Sequence, residues 1–196
     1  MHQKKDSKAE KQKRLDELYH PHQEFKASPL YIPGCNSIVF GEGDPDARLI
    51  FIGEAPGKQE DLQGRPFVGR SGKLLDRALQ LAGVAREDVY ITNVVKCRPP
   101  NNRTPFPHEL RLGKKLLLED QVKIIHPKII CTLGSAALNG LTGEPHQITR
   151  VRGSLLDYNG ITLLPAFHPA YVLRNNSVAT TFLNDIIKAV ELSKKG

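Results

Sequence analysis

The chain has 196 residues, enough for one well-buried domain and short for two, and its 39% hydrophobic and 25% charged content is that of a soluble globular protein. No apolar run approaches the roughly 18 residues of a membrane span, and the opening MHQKKDSKAEKQKR lacks the apolar stretch of a signal peptide, so a cytoplasmic protein without a membrane partner is expected. The net charge of +7 points to a polyanionic partner, of which nucleic acid is the usual one.

Residues 1–25 read as a basic N-terminal tail or helix. The first 14 carry six Lys/Arg against Asp6 and Glu10, and Ser7 to Glu10 has the form of a capping box ahead of Leu15, Leu18 and Tyr19. Four short apolar runs follow: LIFIG (49–53), VYITNVV (89–95), KIICTL (128–133) and ITLLPAF (161–167). Runs without strict alternation are those of strands covered on both faces. Between them lie helical patterns. One opens at Ser71 as cap, carries Leu74, Leu75, Ala78, Leu81 and Ala82 on one face, and stops at Gly83. Others are predicted over 107–125, 135–141 and 180–192. Strands alternating with helices predict an α/β fold: a single domain over 26–196, an α/β/α sandwich with a central four-stranded, mainly parallel sheet.

In such a sheet the working site lies beyond the carboxyl ends of the strands. There stand Glu54 after LIFIG, Asn93 in YITNVV, Gly134 and Ser135 after KIICTL, and His168 after LLPAF. The glycine-rich stretch from Gly53 to Lys73 contains GRPFVGRS, which differs from a P-loop by having Arg70 in the lysine position. A P-loop sits directly between strand and helix so that its N–H groups and its lysine surround phosphates. Here the strand ends eleven residues before Gly64, and nucleotide hydrolysis is set aside. Phe67, in RPFVG, instead offers an aromatic face for a flat, neutral base. Cys35, Cys97 and Cys131 are odd in number, far apart and without a CxxC pair, which argues against a disulfide framework and against a zinc site.

Taken together, FGEGDPDA, GEAPGKQEDLQGRPFVGRSGKLLDRAL, VYITNVVKCRPPNNRTP, LGSAA, VRG and FHPAYVLRN resemble the uracil-DNA glycosylase superfamily, and within it family 4, from about residue 38 to 190. The resemblance implies a monofunctional enzyme that hydrolyses the N-glycosidic bond of uracil in single- or double-stranded DNA, leaves an abasic site and works as a monomer. It implies catalytic roles for Glu54, Asn93 and His168. Glu54 and Ala55 would lie against the uracil ring, Phe67 would stack on it, Asn93 would read N3 and O4, and His168 would meet O2. Leu173 is the implied DNA wedge and Arg174 a phosphate contact. Related enzymes use an aspartate or asparagine to orient water at the position of Ala55, which leaves Glu54, Glu60 and Asn102 as candidates.

Family 4 members hold a [4Fe–4S] cluster on four cysteines, whose positions fall here at Lys26, Pro29, Cys97 and Gly113. One thiolate cannot hold such a cluster, so no cofactor is expected and Cys97 is reduced to a small packed residue. His108 is the histidine nearest to the place where a covalently linking branch carries its basic insertion, which is missing here. The missing cysteines and the basic tail motivate an alternative: a non-catalytic DNA-binding or replication-accessory module on the same fold.

Overall fold

A computed structural model describes residues 6–195. The core is a mixed, mostly parallel sheet of six strands in the order β1-β3-β2-β4-β6-β5. The strands are β1 (Glu42–Gly43), β2 (Leu49–Gly53), β3 (Tyr90–Asn93), β4 (Ile129–Leu133), β5 (Leu156–Tyr158) and β6 (Ile161–Ala166). The four strands read from the sequence form the parallel centre, with Phe51 in register with Ile91 and Cys131, and Cys131 with Leu164. The expected count of four is corrected to six. Both additional strands are antiparallel edges of two and three residues, too short and too polar to show as apolar runs.

Period-2 geometry sends alternate side chains to opposite faces. Phe51, Ile91, Cys131 and Leu164 pack with Leu75 and Leu79 of α3 (Arg70–Leu81) and with Phe182 and Ile186 of α9 (Ala179–Lys194). Ile50, Ile52, Tyr90, Ile130 and Leu163 face the other way. They meet Leu15 of α1 (Lys8–Tyr19), Val122 and Ile125 of α5 (Glu119–Ile125), and Leu138 of α6 (Ser135–Thr142). Both faces are therefore covered by helices, which is why the strand sequences lack polar alternation.

The N-terminal helix forms where the capping box placed it. Ser7 Oγ accepts from the Glu10 N–H, and Glu10 Oε2 accepts from the Ser7 N–H. It is docked as well as formed: Leu15 is buried, and the buried Lys11 ammonium reaches Asp46 at 2.5 Å and the Ile125 carbonyl at 2.8 Å. Helix α3 begins at Arg70, one residue before the predicted cap, with Gly69 rather than Ser71 at the N-cap, and its Leu81 is exposed. The helix predicted over 107–125 is α4 (Pro107–Gly113), a π-helical turn at Lys114–Leu118, and α5.

The cysteine reading is corrected. Cys35 and Cys97 form a disulfide with Cα atoms 5.9 Å apart, while Cys131 is free and buried in β4. The pair closes because the segment from Leu30 to Ile38 folds back onto the chain leaving β3, burying Leu30, Ile32 and Ile38 against Val95 and Leu117. A separation of 62 residues leaves no spacing signature.

Candidate active site

The neighbours of β2 are β3 on one side and β4 on the other, so the chain reverses its winding direction there and opens a crevice at the carboxyl ends of the strands. A cleft of about 640 Å³ occupies it, lined by Glu54, Ala55, Phe67, Asn93, Asn102, His168 and Arg174, among others. These residues, all singled out from the sequence, thus share one cavity, and Glu60 lines it with them. Leu173 stands outside its walls, on α8 (Pro169–Arg174), as an apolar side chain 43% exposed to solvent.

Asn93 is the last residue of β3 and is buried, yet its Oδ1 has no hydrogen-bond partner among the described residues. A buried acceptor without a donor costs roughly 1–3 kcal/mol, so a ligand N–H arriving there recovers that cost. The amide and the Phe67 ring converge on Gly53: a Cβ at that position would lie 2.3 Å from Asn93 Oδ1 and 2.5 Å from Phe67 Cζ.

Phe67 is held in an unusual backbone conformation, φ +49°, which costs free energy unless the surroundings impose it. Three contacts do so. Glu60 Oε1 accepts from the Val68 and Gly69 N–H groups at 2.9 and 2.7 Å. Arg86 donates to the carbonyls of Pro66 and Phe67 at 2.6 and 3.2 Å, while Glu42 and Asp76 hold its guanidinium. The backbone of α3 also passes so close that a Cβ at Gly72 would meet the Phe67 carbonyl oxygen at 1.8 Å. The Phe67 and His168 rings then stand with centroids 6.0 Å apart.

His168 caps α8, its Nδ1 accepting from the Ala170 N–H at 3.0 Å. An accepting Nδ1 leaves the proton of the neutral ring on Nε2. Burial, and secondarily the positive charge of Arg174, push the imidazole down to about 4, so it is neutral near pH 7. Glu54 follows β2 directly and is half-buried; its backbone carbonyl accepts from the Val95 N–H at 3.0 Å, while its carboxylate makes no hydrogen bond or ion pair among the described residues, and burial holds that carboxyl above the usual range. The other two water candidates are already engaged, Glu60 with the Phe67 loop and Asn102 through Oδ1 with Arg98 Nε at 2.7 Å.

Arg86 was not singled out from the sequence. It lies in a charged loop, RED, that reads as a solvated turn, and only the fold brings it under the Phe67 loop.

The residues at the four cluster positions do not fit an iron–sulfur cluster. Lys26 and Pro29 offer no thiolate, Cys97 is bonded to Cys35, and a Cβ at Gly113 would lie 2.1 Å from the Val94 carbonyl oxygen. Among the described residues no group of three or more His, Cys, Asp or Glu side chains could hold a metal ion, and no helix is long and apolar enough to cross a membrane.

The family model of the uracil DNA glycosylase superfamily matches residues 40–191. The chain is 49% identical over 173 residues to the type-4 uracil-DNA glycosylase of Thermotoga maritima, covering 86% of this chain and 89% of that protein. It is 43% identical over 167 residues to the type-4 enzyme of Saccharolobus solfataricus, covering 80% and 77% of the two chains. For that of Archaeoglobus fulgidus the figures are 39% over 178 residues, 87% and 85%.

Proposed function

We propose how this site works from the premise that the chain belongs to the uracil DNA glycosylase superfamily, and within it to the type-4 enzymes, with uracil-DNA glycosylase activity on an N-glycosyl bond. The observation that carries the reading is the buried, unpartnered Asn93 Oδ1 beside the clamped Phe67 ring.

The target nucleotide leaves the base stack, at a cost of a few kcal/mol that is smallest for an unpaired or mismatched base. Uracil lies on Phe67 and donates its N3–H to Asn93 Oδ1, while the Asn93 NH₂ donates to O4. Cytosine presents an acceptor at N3 and a donor at its 4-amino group, so both contacts become repulsive. As the C1′–N1 bond breaks, the electron pair leaves with uracil and negative charge grows on O2, where the His168 Nε2–H stabilises it. Glu54 faces the cationic sugar, orients the attacking water and takes its proton. Leu173 fills the gap left in the stack and Arg174 meets a phosphate. Ala55 contributes backbone only, and Asn102 sits at the rim of the cleft.

Gly53→Ala is expected to drive Asn93 and Phe67 apart and to lower the single-turnover release rate about 100-fold, with an unchanged circular dichroism spectrum. The function itself is tested with oligonucleotides carrying uracil unpaired, opposite G and opposite A. Free uracil and an alkali-labile abasic site are expected, with no strand cleavage before alkali. Protein that binds this DNA and releases no uracil at high enzyme excess would instead support the non-catalytic module.

The enzyme works without an iron–sulfur cluster, a reading supported by the bond to Cys35 that occupies Cys97, the one cysteine at the four cluster positions. Protein purified without air is expected to hold no stoichiometric iron or sulfide and to release uracil at the same rate after chelation.

A further inference from the structure

A second, smaller groove of about 350 Å³ shares a wall with the uracil cleft and is lined by Leu30, Tyr31, Ile32, Arg103, Phe106 and Leu112, among others. Arg103 lines both cavities, so a strand leaving the cleft past Asn102 and Thr104 would meet the groove next. At its edge the Phe106 ring is 50% exposed.

A single exposed phenylalanine needs no explanation. This one is fixed in place. The Arg103 guanidinium lies 3.8 Å from the ring centroid, and the His108 imidazole stacks at 5.8 Å with 21° between planes. Arg103 is itself held by both Glu109 carboxylate oxygens, at 2.7 and 2.8 Å. The segment carrying the ring is strongly basic: Arg98, Arg103, Arg111, Lys114 and Lys115 stand against the single acid Glu109 between residues 98 and 115. Rigid aromatic surface beside positive charge is the composition that binds single-stranded nucleic acid, the ring meeting a base and the cations its phosphates.

We infer that Phe106, backed by Arg103 and His108, is a stacking platform for a DNA base flanking the extruded uridine. The inference rests on the glycosylase reading only in taking the strand through the cleft. The platform contributes affinity for unstacked DNA and no step of the chemistry, since Phe106 lines the groove and not the uracil cleft.

The test measures binding without uracil. Fluorescence anisotropy with a uracil-free oligothymidine compares the wild type with Phe106→Ala and Phe106→Trp. Folding is preserved, because the side chain is exposed and the start of α4 is tied by the Phe106 backbone N–H to Glu109 Oε2. Phe106→Ala is expected to bind about tenfold more weakly, Phe106→Trp to restore binding, and an oligomer of abasic spacers to bind wild type and Phe106→Ala alike. The rate of uracil release at saturating enzyme stays within about twofold. Unchanged oligothymidine affinity in Phe106→Ala overturns the inference. An equal loss on the spacer oligomer, or a slower saturated rate with unchanged binding, overturns it too. A wild type that releases no uracil refutes the glycosylase reading, and the anisotropy comparison still decides the platform.

Discussion

Glu54→Gln is expected to slow uracil release by about 10²–10⁴-fold while raising the melting temperature at neutral pH. Both effects come from one property of the site. Glu54 sits half-buried without a donor or cation to compensate it among the described residues, and burial raises its pKa above 4.5. The folded state therefore takes up this proton at a higher pH than the unfolded chain does. Stability is lost as pH rises from 4.5 through the folded value, because ionisation then occurs where hydration is poor. Glutamine removes the ionisation and its cost, and with it the group proposed to orient and deprotonate water. In the wild type the acid limb of the pH–rate profile should lie above pH 4.5, and the residual activity of Glu54→Gln should lack it. Single-turnover rates and thermal melts across that range measure both. A variant with wild-type activity, or one less stable at pH 7, would contradict the assignment.

His168→Ala is expected to lower the release rate about 10²–10³-fold, the usual loss when a donor to developing negative charge is removed. The donor is a neutral imidazole with its proton fixed on Nε2 by the Ala170 N–H on the other nitrogen. Its pKa of about 4, lowered by burial and then by Arg174, has a second consequence. Between pH 6.5 and about 4 the unfolded chain binds a proton at this histidine and the folded chain does not, so this contribution to stability is complete above 6.5 and lost as pH falls through that window. Melting temperatures of the wild type should therefore drop over this range, and those of His168→Ala should drop less. Equal slopes would mean that His168 is not buried neutral.

Much of the placement of the candidate site is legible in the sequence. The four central strands announce themselves as apolar runs because both faces of the sheet are covered, and the parallel arrangement then puts Glu54, Asn93 and His168 at one end. What stayed hidden depends on contacts distant in sequence or on very short elements. β1 has two residues and β5 three, so neither produces a pattern. The Cys35–Cys97 bond spans 62 residues, so no local spacing of cysteines marks it. Arg86 sits in a loop that looks like any solvated charge run, yet it donates to two carbonyls of the loop bearing Phe67. The choice among Glu54, Glu60 and Asn102 could not be made from residue types, since all three suit a water. In the structure the Glu60 and Asn102 side chains are engaged with neighbours and the Glu54 carboxylate is not, which is why the proposed mechanism takes Glu54.

The central claim is that Asn93 Oδ1 waits for the N3–H of uracil, and N3 methylation tests it most directly. Single-turnover release is compared for otherwise identical single-stranded oligonucleotides carrying uracil or 3-methyluracil. The wild type should release uracil at least about 100-fold faster, because the methyl group removes the donor and leaves the buried oxygen unpaired. Asn93→Ala should be slow on both and nearly indifferent between them. Equal release of the two bases by the wild type would contradict the account.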